Sequence, residues 1–305
     1  MKITIIQDII HWADKQANLN KTQKQLETLA EKTDLVVLPE MFTTGFCTDR
    51  PDLAEDMQGN TAKTLKRWAA DFGFAIAGSF IATENGNLYN RGFFVYPNGE
   101  VVTADKRHLF SMGSEDEFFT AGNKKLTVSY MGFNIRLLIC YDVRFPVWSR
   151  NANNEYDLLI YVANFPQSRI SSWDILTPAR AVENQTYVCA VNCIGTDGNN
   201  IQYNGHSAIF DYKGNKIAVA PDNETSIITT EISKESLFNN YFKSRGGKGK
   251  IVIAKLISSP ENIKIQEEEI SGYKWIKKEE IEKYLTLQNQ IESARKIFEE
   301  FKDYF

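Results

Sequence analysis

Ile135-Arg136-Leu137-Leu138-Ile139-Cys140-Tyr141-Asp142-Val143-Arg144-Phe145-Pro146 is an apolar run that ends abruptly in a thiol and a polar, proline-bearing turn. The length and β-branched content of 135–139 predict a strand buried on both faces, with Cys140 at its end. The same arrangement recurs twice. Leu35-Val36-Val37-Leu38-Pro39 delivers Glu40, and Val101-Val102-Thr103-Ala104-Asp105 delivers Lys106. In layered α/β folds the loops at strand ends converge on a crevice, and reactive side chains placed there share a site.

Working outward, further short runs rich in Val and Ile at 2–6, 35–38, 74–77, 158–162 and 187–191 also predict strands. Residues 93–96 followed by Pro97-Asn98-Gly99-Glu100, and 208–212 followed by Lys213-Gly214-Asn215, predict hairpins. Helical spacing lies between them. Leu65, Trp68, Ala69 and Phe72 share a face with Gly73 as a stop, and 14–32 is polar with Leu19, Leu26 and Leu29 on one side. A third helix is expected over 173–185, its apolar side being Ile175, Leu176, Ala179 and Val182, with Pro178 leaving its N-terminal boundary open. Strands alternating with helices give an α/β layered fold.

Composition narrows the function classes. The chain has 305 residues, 43% hydrophobic and 24% charged, which suits one large domain or a domain with a small appendage. A formal net charge of −4 argues against a nucleic-acid partner, because such binding draws on excess Lys and Arg. No stretch approaches the ~20 apolar residues needed to span a bilayer, so no membrane partner is expected. The first residues lack the features of a secretory signal. The four cysteines, Cys47, Cys140, Cys189 and Cys193, form no disulfide framework, which points to a reducing, cytoplasmic setting.

A thiol, a carboxylate and an ammonium can together carry out acyl transfer. The thiolate attacks an amide carbonyl, while the carboxylate takes the thiol proton and later hands it to departing ammonia. The ammonium stabilises the developing oxyanion. A nearby cation is also expected to lower the thiol pKa. Taken singly, each residue type is commoner elsewhere: a strand-end cysteine as a buried hydrophobe, a lone Glu or Lys as solvated surface.

The surrounding motifs resemble the nitrilase superfamily of carbon-nitrogen hydrolases. Leu38-Pro39-Glu40-Met41-Phe42-Thr43-Thr44-Gly45-Phe46 is similar to its glutamate motif, Asp105-Lys106-Arg107-His108-Leu109-Phe110 to its lysine motif, and Cys140 to Pro146 to its cysteine motif. Ala163-Asn164-Phe165-Pro166 and Ala179-Arg180-Ala181-Val182-Glu183-Asn184-Gln185 also look like family segments. The likeness covers roughly residues 1–245. It implies a four-layer αββα sandwich, a homodimer or larger homo-oligomer assembled through helices, and Glu40, Lys106 and Cys140 as catalytic residues. Glu115, seven residues before Gly122, corresponds to a second glutamate that holds Lys106 or orients substrate, with Glu117 as the runner-up.

The Glu40-to-Phe46 wording and the segment from Asn164 to Trp173 narrow the match to the omega-amidase branch. That branch implies hydrolysis of 2-oxoglutaramate or 2-oxosuccinamate to the 2-oxo acid and ammonia through a cysteine thioester, with no metal or organic cofactor. A carboxylated substrate calls for an arginine. Arg144 and Arg180 are the candidates, tied to Asp142 or Glu183 if they serve structure instead, and Tyr141 and Phe165 are further candidate substrate contacts. The alternatives are an N-carbamoyl amino acid or aliphatic amidase, a papain-like pairing of the cysteine with His11, His108 or His206, and a non-catalytic scaffold. Cys189 and Cys193 are expected in the core, and Cys47 near the pocket.

The composition changes at Ser244-Arg245-Gly246-Gly247-Lys248-Gly249-Lys250. The catalytic domain is therefore assigned to 1–247. Residues 248–305 form a small C-terminal α/β extension that resembles the later half of a Nudix hydrolase. That stretch lacks the metal-binding box of that family, so it is assigned a structural role.

Overall fold

Alternation along the apolar runs determines the layers. The computed structural model describes residues 1–237, which fall within one unit, Met1–Phe238. Its strands are β1 (Lys2–Gln7), β2 (Leu35–Val37), β3 (Ala75–Glu84), β4 (Asn87–Val95), β5 (Val101–Asp105), β6 (Leu126–Tyr130), β7 (Phe133–Ile139), β8 (Leu158–Ala163), β9 (Tyr187–Asn192), β10 (Ile194–Thr196), β11 (Gln202–Asn204), β12 (Ala208–Phe210), β13 (Lys216–Val219) and β14 (Ser226–Glu231). The helices are α1 (Lys15–Glu27), α2 (Asn60–Phe72), α3 (Glu115–Phe118), α4 (Pro146–Ser149) and α5 (Ile170–Asn184).

Two six-stranded sheets form, in the orders β14-β1-β2-β3-β4-β5 and β13-β12-β9-β8-β7-β6, with β10-β11 as a separate pair. Leu35 and Val37 of β2 point into a core shared with Ile135, Leu137 and Ile139 of β7, whereas Val36 between them points the other way. That outer face packs against Leu19 and Leu26 of α1 and Leu65, Trp68 and Ala69 of α2. On the far side of the second sheet, Trp173 and Ala181 of α5 join the main core. Helices, sheet, sheet and helix make four layers, and burial of each Val, Leu or Ile contributes about 1.5–3 kcal/mol. The sheets close tightly at Gly92, where a Cβ would lie 2.8 Å from Leu137.

Local signals explain most boundaries. Asp14 caps α1, its side chain accepting from Ala17 N at 2.9 Å, and α2 stops at Gly73, whose φ of 74° suits glycine. The two expected hairpins form as β4–β5 and β12–β13. A third, β3–β4, turns on Asn85-Gly86, with φ of 52° and 79°. It carries β3 well past the expected end at 77, because the later strand is mixed in polarity and gives no apolar run.

The expected apolar side of α5 is not its packed side. Ile175 and Val182 are 67% and 51% exposed, and the buried residues are Trp173, Thr177, Arg180 and Ala181. The helix also begins earlier than expected, at Ile170, and holds Pro178 in its interior. Proline there removes one helical N–H, and the Thr177 hydroxyl donates to Trp173 O at 2.8 Å in the same turn. The expected domain boundary at 247, and the Nudix-like reading of 248–305, lie outside the described residues. Among the described residues no helix is long and apolar enough to cross a membrane.

Candidate active site

Three strand ends converge as their sequences predict. Glu40 follows β2, Lys106 follows β5 and Cys140 follows β7, while the loop after β8 supplies Asn164. Lys106 Nζ donates to Glu40 Oε1 at 2.9 Å and to Glu115 Oε2 at 2.8 Å, with Glu115 Oε1 at 3.1 Å. Glu40 and Glu115 are wholly buried, and Lys106 is 1% exposed. The structure thus brings Glu115 to Lys106. Glu117 is exposed and accepts from the Ser114 hydroxyl.

Asn90 joins the two carboxylates. Its Nδ2 donates to Glu40 Oε1 at 2.7 Å and to Glu115 Oε1 at 3.0 Å, and its Oδ1 accepts from Ser79 Oγ. Asn164 holds Glu40 at two points, from its backbone N to Oε2 at 2.7 Å and from Nδ2 to the Glu40 carbonyl at 2.8 Å. Cys193 Sγ in turn lies 2.9 Å from Asn164 Oδ1. Asn90 escaped the sequence reading, although a lone Asn among Tyr89, Phe93 and Phe94 is a buried polar residue in need of partners.

The backbone places Cys140 with some strain. Its φ is 43°, left-handed for a residue with a side chain, at a cost of roughly 1–2 kcal/mol. Asp142 holds this turn: its Oδ2 accepts from Ile139 N at 3.1 Å, and its Oδ1 accepts from His108 N at 3.1 Å and faces His108 Nδ1 at 2.7 Å. The imidazole stacks on Phe145 with ring centroids 3.6 Å apart. His108 therefore braces the lysine loop against the cysteine turn. His206 faces Asp174, and His11 is exposed. The near neighbours of the Cys140 thiol are Glu40 and, at 4.0 Å, Asn164 O, so the papain-like pairing is not formed.

Electrostatics correct one expectation. Burial pushes the Cys140 thiol well above the ordinary value, the Glu40 and Glu115 carboxylates add to the rise, and Lys106 opposes it without prevailing. The resting thiol is neutral. Burial lowers the Lys106 pKa, but Glu115 and Glu40 outweigh burial and keep the ammonium charged. Glu115 is raised by burial and by Glu40 despite Lys106, since one cation serves two carboxylates.

The remaining candidates separate. Tyr141 is partly exposed, its ring 5.2 Å from Phe110, whereas Phe165 is 3% exposed and packs on Trp173. Arg144 is partly exposed over the rings of Tyr141 and Phe165, at 6.0 and 5.9 Å, and does not pair with Asp142. Arg180 is buried and donates from Nε and Nη2 to Val143 O at 3.0 and 2.8 Å, with Glu183 as its ion-pair partner. It holds the cysteine turn and is not available to substrate. Cys47 packs with Met41, Leu53, Ile81 and Phe119, and Cys189 lies in the main core.

Comparison with known proteins identifies the family. Residues 2–237 match the family model described as Carbon-nitrogen hydrolase. The chain is 43% identical over 242 residues to the omega-amidase YafV of Escherichia coli K12, covering 78% of this chain and 91% of that protein. It is 32% identical to the 2-oxoglutaramate amidase of Bacillus subtilis, covering 75% and 90%. Among solved structures, a carbon-nitrogen hydrolase superfamily protein of Xanthomonas campestris, which carries an arsenic adduct in its active site, superposes with a TM-score of 0.77. It shares 36% identity, covering 83% of this chain and 98% of that one.

Proposed function

The chain belongs to the carbon-nitrogen hydrolase family, and from that premise we propose that it is an omega-amidase. Its reaction is hydrolysis of the terminal amide of a 2-oxo dicarboxylic acid monoamide, such as 2-oxoglutaramate or 2-oxosuccinamate, to the 2-oxo acid and ammonia. The observation that carries this reading is the buried cluster in which Glu40 faces the Cys140 thiol and Lys106 bridges Glu40 and Glu115.

As Cys140 Sγ attacks the amide carbon, Glu40 takes the thiol proton. Glu40 and both oxygens of Glu115 hold the Lys106 ammonium in place, and its positive charge stabilises the oxyanion. When the C–N bond breaks, Glu40 returns its proton to the departing nitrogen, and ammonia leaves a thioester on Cys140. Water then attacks the thioester carbon, giving a proton to Glu40. The sulfur departs and is reprotonated from Glu40, which restores the resting site. Glu115 keeps Lys106 charged and aimed, and Arg144, stacked on Tyr141 and Phe165, receives the substrate carboxylate.

The same reading makes the protein a homodimer, for which the exposed Ile175 and Val182 on α5 supply an apolar face. The four unpaired cysteines support a cytoplasmic setting. The deciding experiment is ammonia release from 2-oxoglutaramate, glutamine, N-carbamoyl amino acids and simple aliphatic amides. The 2-oxo amide should give the highest kcat/KM. A neutral aliphatic amide hydrolysed equally well would replace the omega-amidase reading with the aliphatic one.

A further inference from the structure

A substrate that brings its own carboxylate meets a catalytic cluster already holding two carboxylates against one ammonium. The substrate carboxylate must be held away from Glu40 and Glu115, by cations that these glutamates do not engage. Arg144 fits that need. A second guanidinium does so too. Arg169 closes the short turn between β8 and α5, is partly exposed, and forms no ion pair among the described residues.

Arg169 reaches from the loop after β8 to the loop after β5. Its guanidinium lies over the ring of Phe110, 4.7 Å from the centroid, and Nη2 approaches the Met112 sulfur at 3.4 Å. Phe110 is fixed to the catalytic cluster, because its backbone N donates to Glu115 Oε2 at 2.7 Å. Its ring meets the edge of Tyr141, the residue after the nucleophile. Aromatic faces and cations therefore alternate beside Cys140: Arg169 on Phe110, Phe110 against Tyr141, and Arg144 over Tyr141 and Phe165. A guanidinium stacked on a ring is restrained in orientation while its N–H edge stays free. Among the described residues the only side-chain acceptor Arg169 meets is a thioether, a weak one that a carboxylate oxygen readily replaces.

We propose that Arg169 is a second specificity-determining residue, which together with Arg144 holds the carboxylate and adjacent oxo group of the substrate from the opposite loop. The proposal rests on the omega-amidase reading, and its test separates the two. Steady-state kinetics of the full-length wild type, Arg169→Gln and Arg169→Lys are measured on 2-oxoglutaramate and on pentanamide, which has no carboxylate. In Arg169→Gln the preference for 2-oxoglutaramate, as the ratio of the two kcat/KM values, should fall about 10-fold to 100-fold, through KM rather than kcat. Arg169→Lys should recover part of it. A wild type that prefers 2-oxoglutaramate and an Arg169→Gln that keeps the full preference would overturn the role of Arg169 alone. Equal losses on both substrates would also overturn it, as the mark of a structural residue. A wild type with no preference would overturn the substrate class, and the proposal with it.

Discussion

Lys106 is the residue on which the site depends, because among the described residues it is the one cation buried with two carboxylates, a thiol and their amide partners. Its removal has a stability consequence as well as a catalytic one. In Lys106→Met, Glu40 and Glu115 stay buried without a counter-charge, which costs about 3–5 kcal/mol. Burial already raises the Glu115 pKa above its unfolded value while Lys106 opposes the rise, and without Lys106 that opposition is lost. The folded state thus binds more protons than the unfolded state. Its stability is fully present below the unfolded pKa and is lost as pH rises through the folded values. The Tm of Lys106→Met, measured from about pH 5 to about pH 8, should fall relative to wild type as pH rises, and turnover should drop at least ~10²-fold. A constant Tm difference across that range would mean that the two carboxylates are not the groups Lys106 compensates.

At the scale of elements, the cysteine turn is held from outside by α5. Arg180 caps Val143 O from within that helix, and a buried carbonyl left without donors costs about 1–3 kcal/mol. Arg180→Met should lower Tm by several degrees and reduce kcat on carboxylated and neutral amides alike. A rise in KM confined to carboxylated amides would instead make Arg180 a substrate residue.

This element also marks where sequence reading stops. The strands of 35–38, 135–139 and 158–162 were legible because burial on both faces leaves short apolar runs, broken in these three only by Arg136. Glu40, Lys106 and Cys140 stand at strand ends, but their role was legible through the motifs around them, which resemble those of the nitrilase superfamily. The packed face of α5 was not, because a buried arginine reads as surface until the carbonyl it serves is known. Asn90 and Asn164 were hidden for the same reason: their partners are far away in sequence, and only the folded sheets bring them to Glu40. Arg169 carries no periodic signal at all, and its relevance comes from the ring of Phe110 beneath it.

For the whole molecule, the first 237 residues carry the four layers and the entire cluster. Residues 248–305 are proposed to add no catalytic group. Ile175 and Val182, exposed on the outer helix layer, are proposed to meet a second copy. Changing both to glutamate should leave the circular dichroism spectrum intact and halve the mass seen by size-exclusion chromatography with light scattering. An unchanged mass would place any subunit contact elsewhere.

The central claim is that the amide carbon passes through a thioester on Cys140. Among the four cysteines this is the most accessible, at 8% exposure, against 2% or less for Cys47, Cys189 and Cys193. The most direct measurement is peptide mapping by mass spectrometry of enzyme quenched in acid during turnover of 2-oxoglutaramate. The peptide containing Cys140 should carry the acyl group of the substrate less ammonia, and Cys140→Ala should show neither adduct nor ammonia release. An adduct on Cys47, Cys189 or Cys193, or steady ammonia release by Cys140→Ala, would contradict it.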